Sequence, residues 1–198
     1  MSYIANTAFE ARIVNDRFDD LANVAGKYYA SDAPADCSAG LLVTRDSLLD
    51  CEGMPSGTKN ENTWKMVAAT SAATVDTPVY ACDPFDWPLL SSQSGNLYAV
   101  GTETLGLGIP AGRFGNFRRV HFDNESVYRI GTGNTSGTQS TNQYLTIDNG
   151  TYKWAASAPT TTGAIYFKLM GTGTFTAGTS AAFTYFDVMA CKVSTVAG

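Results

Sequence analysis

The sequence has few charged residues and a single histidine, and it lacks the motifs of common catalytic sites. Only 16% of its 198 residues are charged, which is low against the usual quarter. Its polar surface must therefore consist mainly of Thr, Ser, Asn and Gly. No GxSxG elbow, Walker A or G-x-G-x-x-G motif occurs, and one histidine does not complete a usual zinc set. These absences favour a binding or structural protein over an enzyme, with no catalytic residues, cofactor or metal.

Cysteines and long apolar runs are also scarce. The four cysteines, Cys37, Cys51, Cys82 and Cys191, are scattered and form no CxxC pair. This pattern favours free buried thiols, although a Cys37–Cys51 bridge stays open. The first residues lack the basic and apolar segments of a signal peptide, and no stretch approaches the roughly 18 apolar residues of a membrane span. We therefore expect a protein made in the reducing cytoplasm, with no membrane partner.

The charge balance disfavours nucleic acid as a partner. The formal net charge is -5, which repels nucleic acid at long range unless a basic patch dominates locally. The candidate patch contains Arg113, Arg118 and Arg119, with Phe residues between them that could stack bases. Asp123 and Glu125 follow directly, and arginines beside acidic turns are typical of protein–protein ion pairs.

One N-terminal segment has the pattern of a helix. Over residues 7–26, apolar side chains recur at spacings of three and four, as on one face of a helix. Thr7 and Glu10 match a capping box, and Gly26 suits the position just after a helix. We therefore predict an N-terminal arm and helix over residues 1–30.

Residues 31–198 have the pattern of a β-rich domain. Short runs rich in Tyr, Thr, Ile and Phe alternate with turn residues. The clearest hairpin is QYLTI-DNG-TYKWAA, because Asn149-Gly150 tolerates positive φ. In the run AFTYFDVMACKV, apolar residues occupy both alternating sets of positions, which predicts a central strand covered on both faces. The predicted fold is mainly β: an antiparallel β-sandwich or partly closed barrel with one N-terminal α-helix.

The stretch GRFGNFRRVHFDNESVYRIGTGN, residues 112–134, contains His121. Its alternation predicts a hairpin in which NFRRVHF and VYRI are strands and Asp123 to Ser126 form the turn. On this reading His121 is a half-exposed strand residue rather than a catalytic one, because no nucleophile is tied to it. A calcium site at Asp123, Asn124 and Glu125 lacks the spaced ligands of a known loop.

A second stretch, DPFDWP at residues 83–88, mixes acids and aromatics as sugar sites often do. Asp83 and Asp86 would suit glycoside hydrolysis only if they faced another carboxyl across a cleft. A proline-braced loop that packs its aromatics on the core explains the stretch more simply. Two alternatives stay open: a hydrolase, and a carbohydrate-binding β-sandwich that uses Trp87, Trp154 or Tyr152 as a sugar platform.

Several runs resemble small head proteins of tailed bacteriophages that are encoded beside the major capsid protein. The runs are NVAGKYYASDAPADCSAGLLVTRDSLLDCEG, NTWKMVAAT, VYACDPFD, GNLYAVGTETLGLGIPAGRFGNFRRVHFD, VYRIGTGN and GTGTFTAGTSAAFTYFDVMA. The likeness extends along nearly the whole chain. It lies in the composition and order of these runs rather than in a catalytic motif. It implies a capsid decoration or cement protein on the outer surface of the virion head, assembled in the host cytoplasm. A tail or other virion position is the alternative.

The resemblance implies two kinds of partner: the major capsid protein, and copies of the chain itself in a homotrimer or another homo-oligomer. We predict that Tyr3, Ile4, Phe9 and Ile13 anchor the protein to the shell or join copies, although the same helix could cap its own sandwich. Arg113 and Arg118 are the other predicted interface residues.

Overall fold

A computed structural model describes residues 12–15, 23–51, 53–83, 108–175 and 183–194, and this part of the chain is mainly β. It contains no α-helix and one 3-10 turn, Thr132–Asn134. The strands are β1 Arg12–Asn15, β2 Val24–Ala30, β3 Ala33–Pro34, β4 Leu42–Asp50, β5 Lys59–Ala68, β6 Val79–Asp83, β7 Gly115–Arg119, β8 Val127–Gly131, β9 Thr135–Ser136, β10 Tyr144–Asp148, β11 Thr151–Ala155, β12 Ile165–Phe175 and β13 Phe183–Lys192. The predicted mainly β class is confirmed.

Five of these strands close into a barrel in the order β2-β5-β4-β6-β7, and β7 pairs back with β2. The β2–β5 pair is parallel and the other pairs of the ring are antiparallel. The short β3 extends the barrel from β2. Alternate residues point inward, and they form a core with Cys37 and Ile109, which pair with each other in an isolated bridge. The inward-pointing core residues on the strands are Val43, Met66, Tyr80, Cys82 and Phe117.

The remaining strands form a second sheet, called here the large sheet, in the order β1-β8-β13-β12-β10-β11-β9. Its neighbours are antiparallel except for the short β11–β9 pair. One face packs on the barrel in a shared core. Leu42 of β4 and Ala81 of β6 belong to this shared core, whereas the adjacent Val43 and Tyr80 point into the barrel. Strands β4 and β6 therefore bury side chains on both faces.

The β10–β11 turn joins the large sheet to the barrel. Asn149 and Gly150 have φ of 47° and 80°, which confirms the predicted positive-φ turn between these two strands. The Gly150 N–H donates to the Ala69 carbonyl at 2.8 Å, and its carbonyl accepts from the Leu42 N–H at 2.8 Å. The turn therefore holds the two sheets together by backbone hydrogen bonds.

The helix predicted over residues 7–26 is wrong for the part of it that the structure describes. Arg12–Asn15 forms β1 and pairs with β8, and Val24 begins β2. Gly26 is not a helix cap: a Cβ there would lie 2.6 Å from the Trp64 carbonyl oxygen, so its small size serves strand packing. Pairing with distant strands outweighs a local helical pattern that includes several β-branched residues. The described parts of residues 1–30 thus belong to the two sheets, and Thr7 and Glu10 lie outside the described residues.

The hairpin predicted across residues 116–130 is also wrong. β7 pairs with β2 and β6 in the barrel, whereas β8 pairs with β1 and β13 in the large sheet. The Asp123–Ser126 turn is therefore a crossover between sheets. The last strand, β13, is central as predicted. Phe186, Val188 and Ala190 are buried on one face, whereas Tyr185, Asp187 and Met189 on the other face are half-buried.

Candidate functional site

The side of the large sheet that points away from the barrel is the candidate site, called here the outer face. Its residues alternate with those of the shared core and are half-buried or exposed. The outer face comprises Val127 and Arg129 of β8, Tyr185, Asp187 and Met189 of β13, Tyr166 and Lys168 of β12, and Tyr144 of β10. Register aligns Val127, Met189, Lys168 and Tyr144 in one row across four strands.

An ion pair organises one part of the outer face. Arg129 Nε donates to Asp187 Oδ1 at 2.8 Å, and its Nη2 donates to Oδ2 at 2.9 Å. These bonds raise the pKa of the Arg129 guanidinium above its already high value, against the opposing effect of burial. The guanidinium also lies 4.0 Å from the centroid of the Tyr185 ring. Bidentate and cation–π contacts together hold the arginine in one orientation and present a nearly neutral surface.

Glycine makes room for Tyr185. A Cβ at Gly173, which pairs with Tyr185 across β12 and β13, would collide with the tyrosine ring. The ring is thus fixed between Gly173 on one side and Arg129 on the other. A side chain held in this way loses little conformational freedom when a partner binds it.

Two further tyrosines lie on the outer face. The rings of Tyr144 and Tyr166 have centroids 6.1 Å apart at an interplanar angle of 57°. Burial raises the pKa of Tyr166, and the neighbouring Cys191 thiol raises it further. The Tyr166 phenol is therefore neutral at physiological pH, as an unperturbed tyrosine also is. A neutral phenol offers an apolar ring and a hydrogen-bonding tip to a partner.

The composition and size of the outer face suit protein binding. Tyr, Met and Arg are enriched at protein interfaces, and Tyr and Arg are also among the residues that dominate binding affinity. Strands lie ~4.8 Å apart, so β8, β13, β12, β10 and β11 span about 19 Å. With the longest strand at 11 residues, the face has an area on the order of 600 Å². A standard interface buries about 800 Å² on each partner, so the outer face supplies a large share of one.

The two arginines predicted at an interface have different environments. Arg113 is exposed before β7. Arg118 is half-buried, and its Nη2 lies 3.2 Å from Oδ2 of Asp83, whose side chain is only 6% exposed. Arg118 thus neutralises a buried carboxylate within the barrel wall, which is a structural role.

The predicted N-terminal contact residues fall largely outside the description. Tyr3, Ile4 and Phe9 lie outside the described residues, and for Ile13 only the backbone, in β1, is described. Their interface role stays a prediction.

In the acidic turn beside His121, the Asp123 carboxylate accepts hydrogen bonds from neighbouring residues of the turn. Asp123 accepts hydrogen bonds from the Glu125 N–H, the Ser126 N–H and the Ser126 hydroxyl at 2.7–2.9 Å. Burial raises the pKa of Asp123, but these donated bonds outweigh it and lower the pKa below its usual value. The Asn124 N–H donates to the Ala190 carbonyl, which ties the turn to β13. His121 is half-buried as predicted, but it lies after the end of β7 and not in a strand. Its backbone N–H donates to the Tyr128 hydroxyl at 2.9 Å.

Acidic and thiol side chains do not assemble into a metal site or a disulfide in the described part of the chain. No cluster of three or more His, Cys, Asp or Glu side chains suited to a metal occurs in the described ranges. All four cysteines are free thiols, which agrees with the prediction. Cys37 is buried in the barrel while Cys51 is half-buried on a loop, and no bridge joins them.

The aromatic sugar platform is wrong for two of its three residues. Tyr152 is fully buried against Phe167, with centroids 4.8 Å apart, and burial strongly raises the pKa of its phenol. Trp154 packs edge-on against Phe186 at 5.2 Å in the same core. Strand alternation points both rings inward. Trp87 and Asp86 lie outside the described residues. Of the Asp83 and Asp86 pair considered for a hydrolase, the structure describes only Asp83, whose carboxylate faces Arg118.

Sequence reasoning did not single out the outer face. The run AFTYFDVMACKV contains a usable signal. Tyr185, Asp187 and Met189 stand at alternate positions, which places them on the same face of a strand. The partnership of Arg129 and Asp187 joins residues 58 apart, and no local pattern indicates it.

Comparison with known protein families, with curated proteins and with solved structures finds no match for this chain. Among the described residues, no helix has the length and apolar character needed to cross a membrane.

Proposed function

We propose that this protein is a structural protein of the bacteriophage virion: a capsid decoration or cement protein that binds the outer surface of the assembled head. The observation that carries the proposal is the outer face, where three tyrosines, a methionine and a bidentate arginine lie on a rigid sheet. The likeness of the sequence to phage head proteins supplies the proposed partner, the major capsid protein.

The proposed mechanism is stabilisation by linkage. A protein that binds the assembled lattice but not free subunits shifts the equilibrium toward the lattice. One molecule that touches several subunits makes each later contact intramolecular, which raises avidity without new chemistry. An area near 600 Å² suits one such contact among several, because a single standard interface needs about 800 Å² on each partner.

The test uses heads of the encoding phage that were assembled without this protein. Purified protein is mixed with these heads, and uptake is measured by co-sedimentation together with survival after heating or chelation. The proposal predicts saturable uptake and greater resistance of the heads. Uptake by tails and not heads would overturn the head assignment, and uptake by neither would overturn the virion assignment.

A charge reversal tests whether the outer face makes the contact. Lys168→Glu places a carboxylate in the row formed by Val127, Met189 and Tyr144, and we expect at least about tenfold weaker uptake. Lys59→Glu is the matched control, because Lys59 lies on the barrel in an exposed ion pair with Asp50. Equal uptake by the two variants would exclude the outer face as the contact.

A further inference from the structure

A groove on the barrel has the features of a ligand site that is separate from the outer face. It is lined by Lys27, Tyr29, Leu49, Asp50, Asn60 and Phe114, and its volume is about 470 Å³. This falls in the range of about 300–1,000 Å³ that small-molecule sites occupy. Leu49 and Asp50 end β4, Asn60 lies at the start of β5, and Lys27 and Tyr29 belong to β2. The groove is thus built mainly on strands of a closed barrel, which positions its side chains firmly.

Phe114 offers an aromatic ring in this groove. The residue is 51% exposed, so solvent and ligands can reach the ring. The Lys27 ammonium lies 4.1 Å from the ring centroid, which orients the ring by a cation–π contact.

The backbone next to Phe114 is fixed as well. The following residue, Gly115, pairs with Gly26 in the barrel, and a Cβ at Gly115 would collide with the buried Ile109. The backbone that follows Phe114 is therefore fixed by close packing in the barrel.

The polar groups of the groove include both hydrogen-bond donors and acceptors. Lys27 contributes an ammonium and Asp50 a carboxylate. Oδ1 of Asp50 also forms an ion pair with Nζ of Lys59 at 2.7 Å. Asn60 supplies an amide with both donors and an acceptor, and Tyr29 supplies a phenol. A lining of this kind offers hydrogen-bond donors and acceptors together rather than a cluster of like charges.

We propose that this groove binds a neutral oligosaccharide. A pyranose has one face of C–H groups that stacks on an aromatic ring, as Phe114 provides. Its hydroxyls both donate and accept, which matches the carboxylate of Asp50, the amide of Asn60 and the ammonium of Lys27. An uncharged ligand with both kinds of group fits this lining better than nucleic acid, whose affinity depends on neutralising phosphates.

The experiment is a glycan array probed with the full chain. Its panel carries neutral oligosaccharides of glucose, galactose, mannose and N-acetylglucosamine beside sulfated and sialylated glycans, and hits are titrated by NMR or calorimetry. We expect binding to at least one neutral series. Phe114→Leu, which keeps an apolar side chain but removes the ring, should weaken that binding about tenfold. Phe114→Trp should retain it.

Controls separate this proposal from the proposed function. Met54→Ala removes another exposed apolar side chain, one that is 60% exposed, and should leave glycan binding unchanged. Lys168→Glu should also leave it unchanged, while Phe114→Leu should leave uptake by heads unchanged. No binding to any neutral glycan, binding to charged glycans alone, or equal binding by Phe114→Leu would each overturn the oligosaccharide site. Thermal melts confirm that each variant is folded.

Discussion

The contact between the β10–β11 turn and the barrel leads to a quantitative prediction for Gly150→Ala. Gly150 has φ of 80°, where an alanine costs about 1–2 kcal/mol relative to glycine. A Cβ there would also lie 2.9 Å from Leu41 Cδ1 and 3.1 Å from the Leu42 carbonyl oxygen. Such crowding in packed structure costs about 1–3 kcal/mol more. We therefore expect the free energy of unfolding to fall by about 2–5 kcal/mol.

Gly57 supplies a matched control for this prediction. Its φ is 89°, and a Cβ there would meet nothing within 4 Å. Gly57→Ala therefore carries the left-handed strain alone, about 1–2 kcal/mol. The difference between the two variants isolates the collision with the barrel. It should be about 1–3 kcal/mol, or roughly 2–12 °C of additional loss in Tm for a domain of this size.

The assay is urea unfolding followed by circular dichroism, with hydrogen exchange as a second readout. Gly150→Ala should also lower the protection of the Leu42 and Gly150 amides, because both donate across the contact at 2.8 Å. Equal losses of stability in the two variants, or unchanged protection of these amides, would refute the idea that this turn holds the large sheet on the barrel.

Three further predictions follow from buried or paired groups. Arg118→Met should lower the free energy of unfolding by about 2–4 kcal/mol in urea melts, because it removes an ion-pair partner of a buried carboxylate. The exposed neighbour provides the control Arg119→Met, which should cost at most about 0.5 kcal/mol, and equal losses would contradict the buried ion pair. Asp123→Ala should cost about 1–2 kcal/mol at pH 7. Because the folded pKa of Asp123 is lowered, this stabilisation is present above the unfolded pKa of about 3.9 and is lost as pH falls through the folded value. The gap between wild type and variant should therefore shrink in melts at pH 3, and a gap that does not change with pH would contradict the role of the carboxylate. A thiol reagent should label Cys51 in the native protein before Cys37, since burial raises the pKa of the Cys37 thiol. Mass spectrometry checks the order of labelling, and a Cys51→Ser variant is the control. Early labelling of Cys37 would contradict its place in the barrel core.

Local chemistry made some features predictable. Asn149-Gly150 is predictable because few residue pairs accept two successive positive φ angles, so the turn type follows from two letters. The sequences on either side of this turn have the pattern of strands, and β10 and β11 pair there as predicted. The free thiols were also predictable, because the spacing of the cysteines matches no common metal site.

The N-terminal helix failed because one segment supports two periodicities. Apolar residues at spacings of three and four describe a helix face, but Ile13, Val14 and Val24 are also strand formers. The partners that decide the outcome lie far along the chain: β1 pairs with β8, and β2 pairs with β5 and β7. Propensity is a weak prior when such pairing is available.

By itself, the sequence determined the β-rich class and the tight turn at Asn149-Gly150, since each depends on residues close together in the chain or on composition. Only the tertiary structure decided that β7 and β8 separate into two sheets, that Tyr152 and Trp154 point into the core, and that Arg129 meets Asp187 on the outer face. The physical reason is that strand pairing and burial are settled between residues tens of positions apart. A strand shows which side chains share a face, but only its packing partner decides which face is buried.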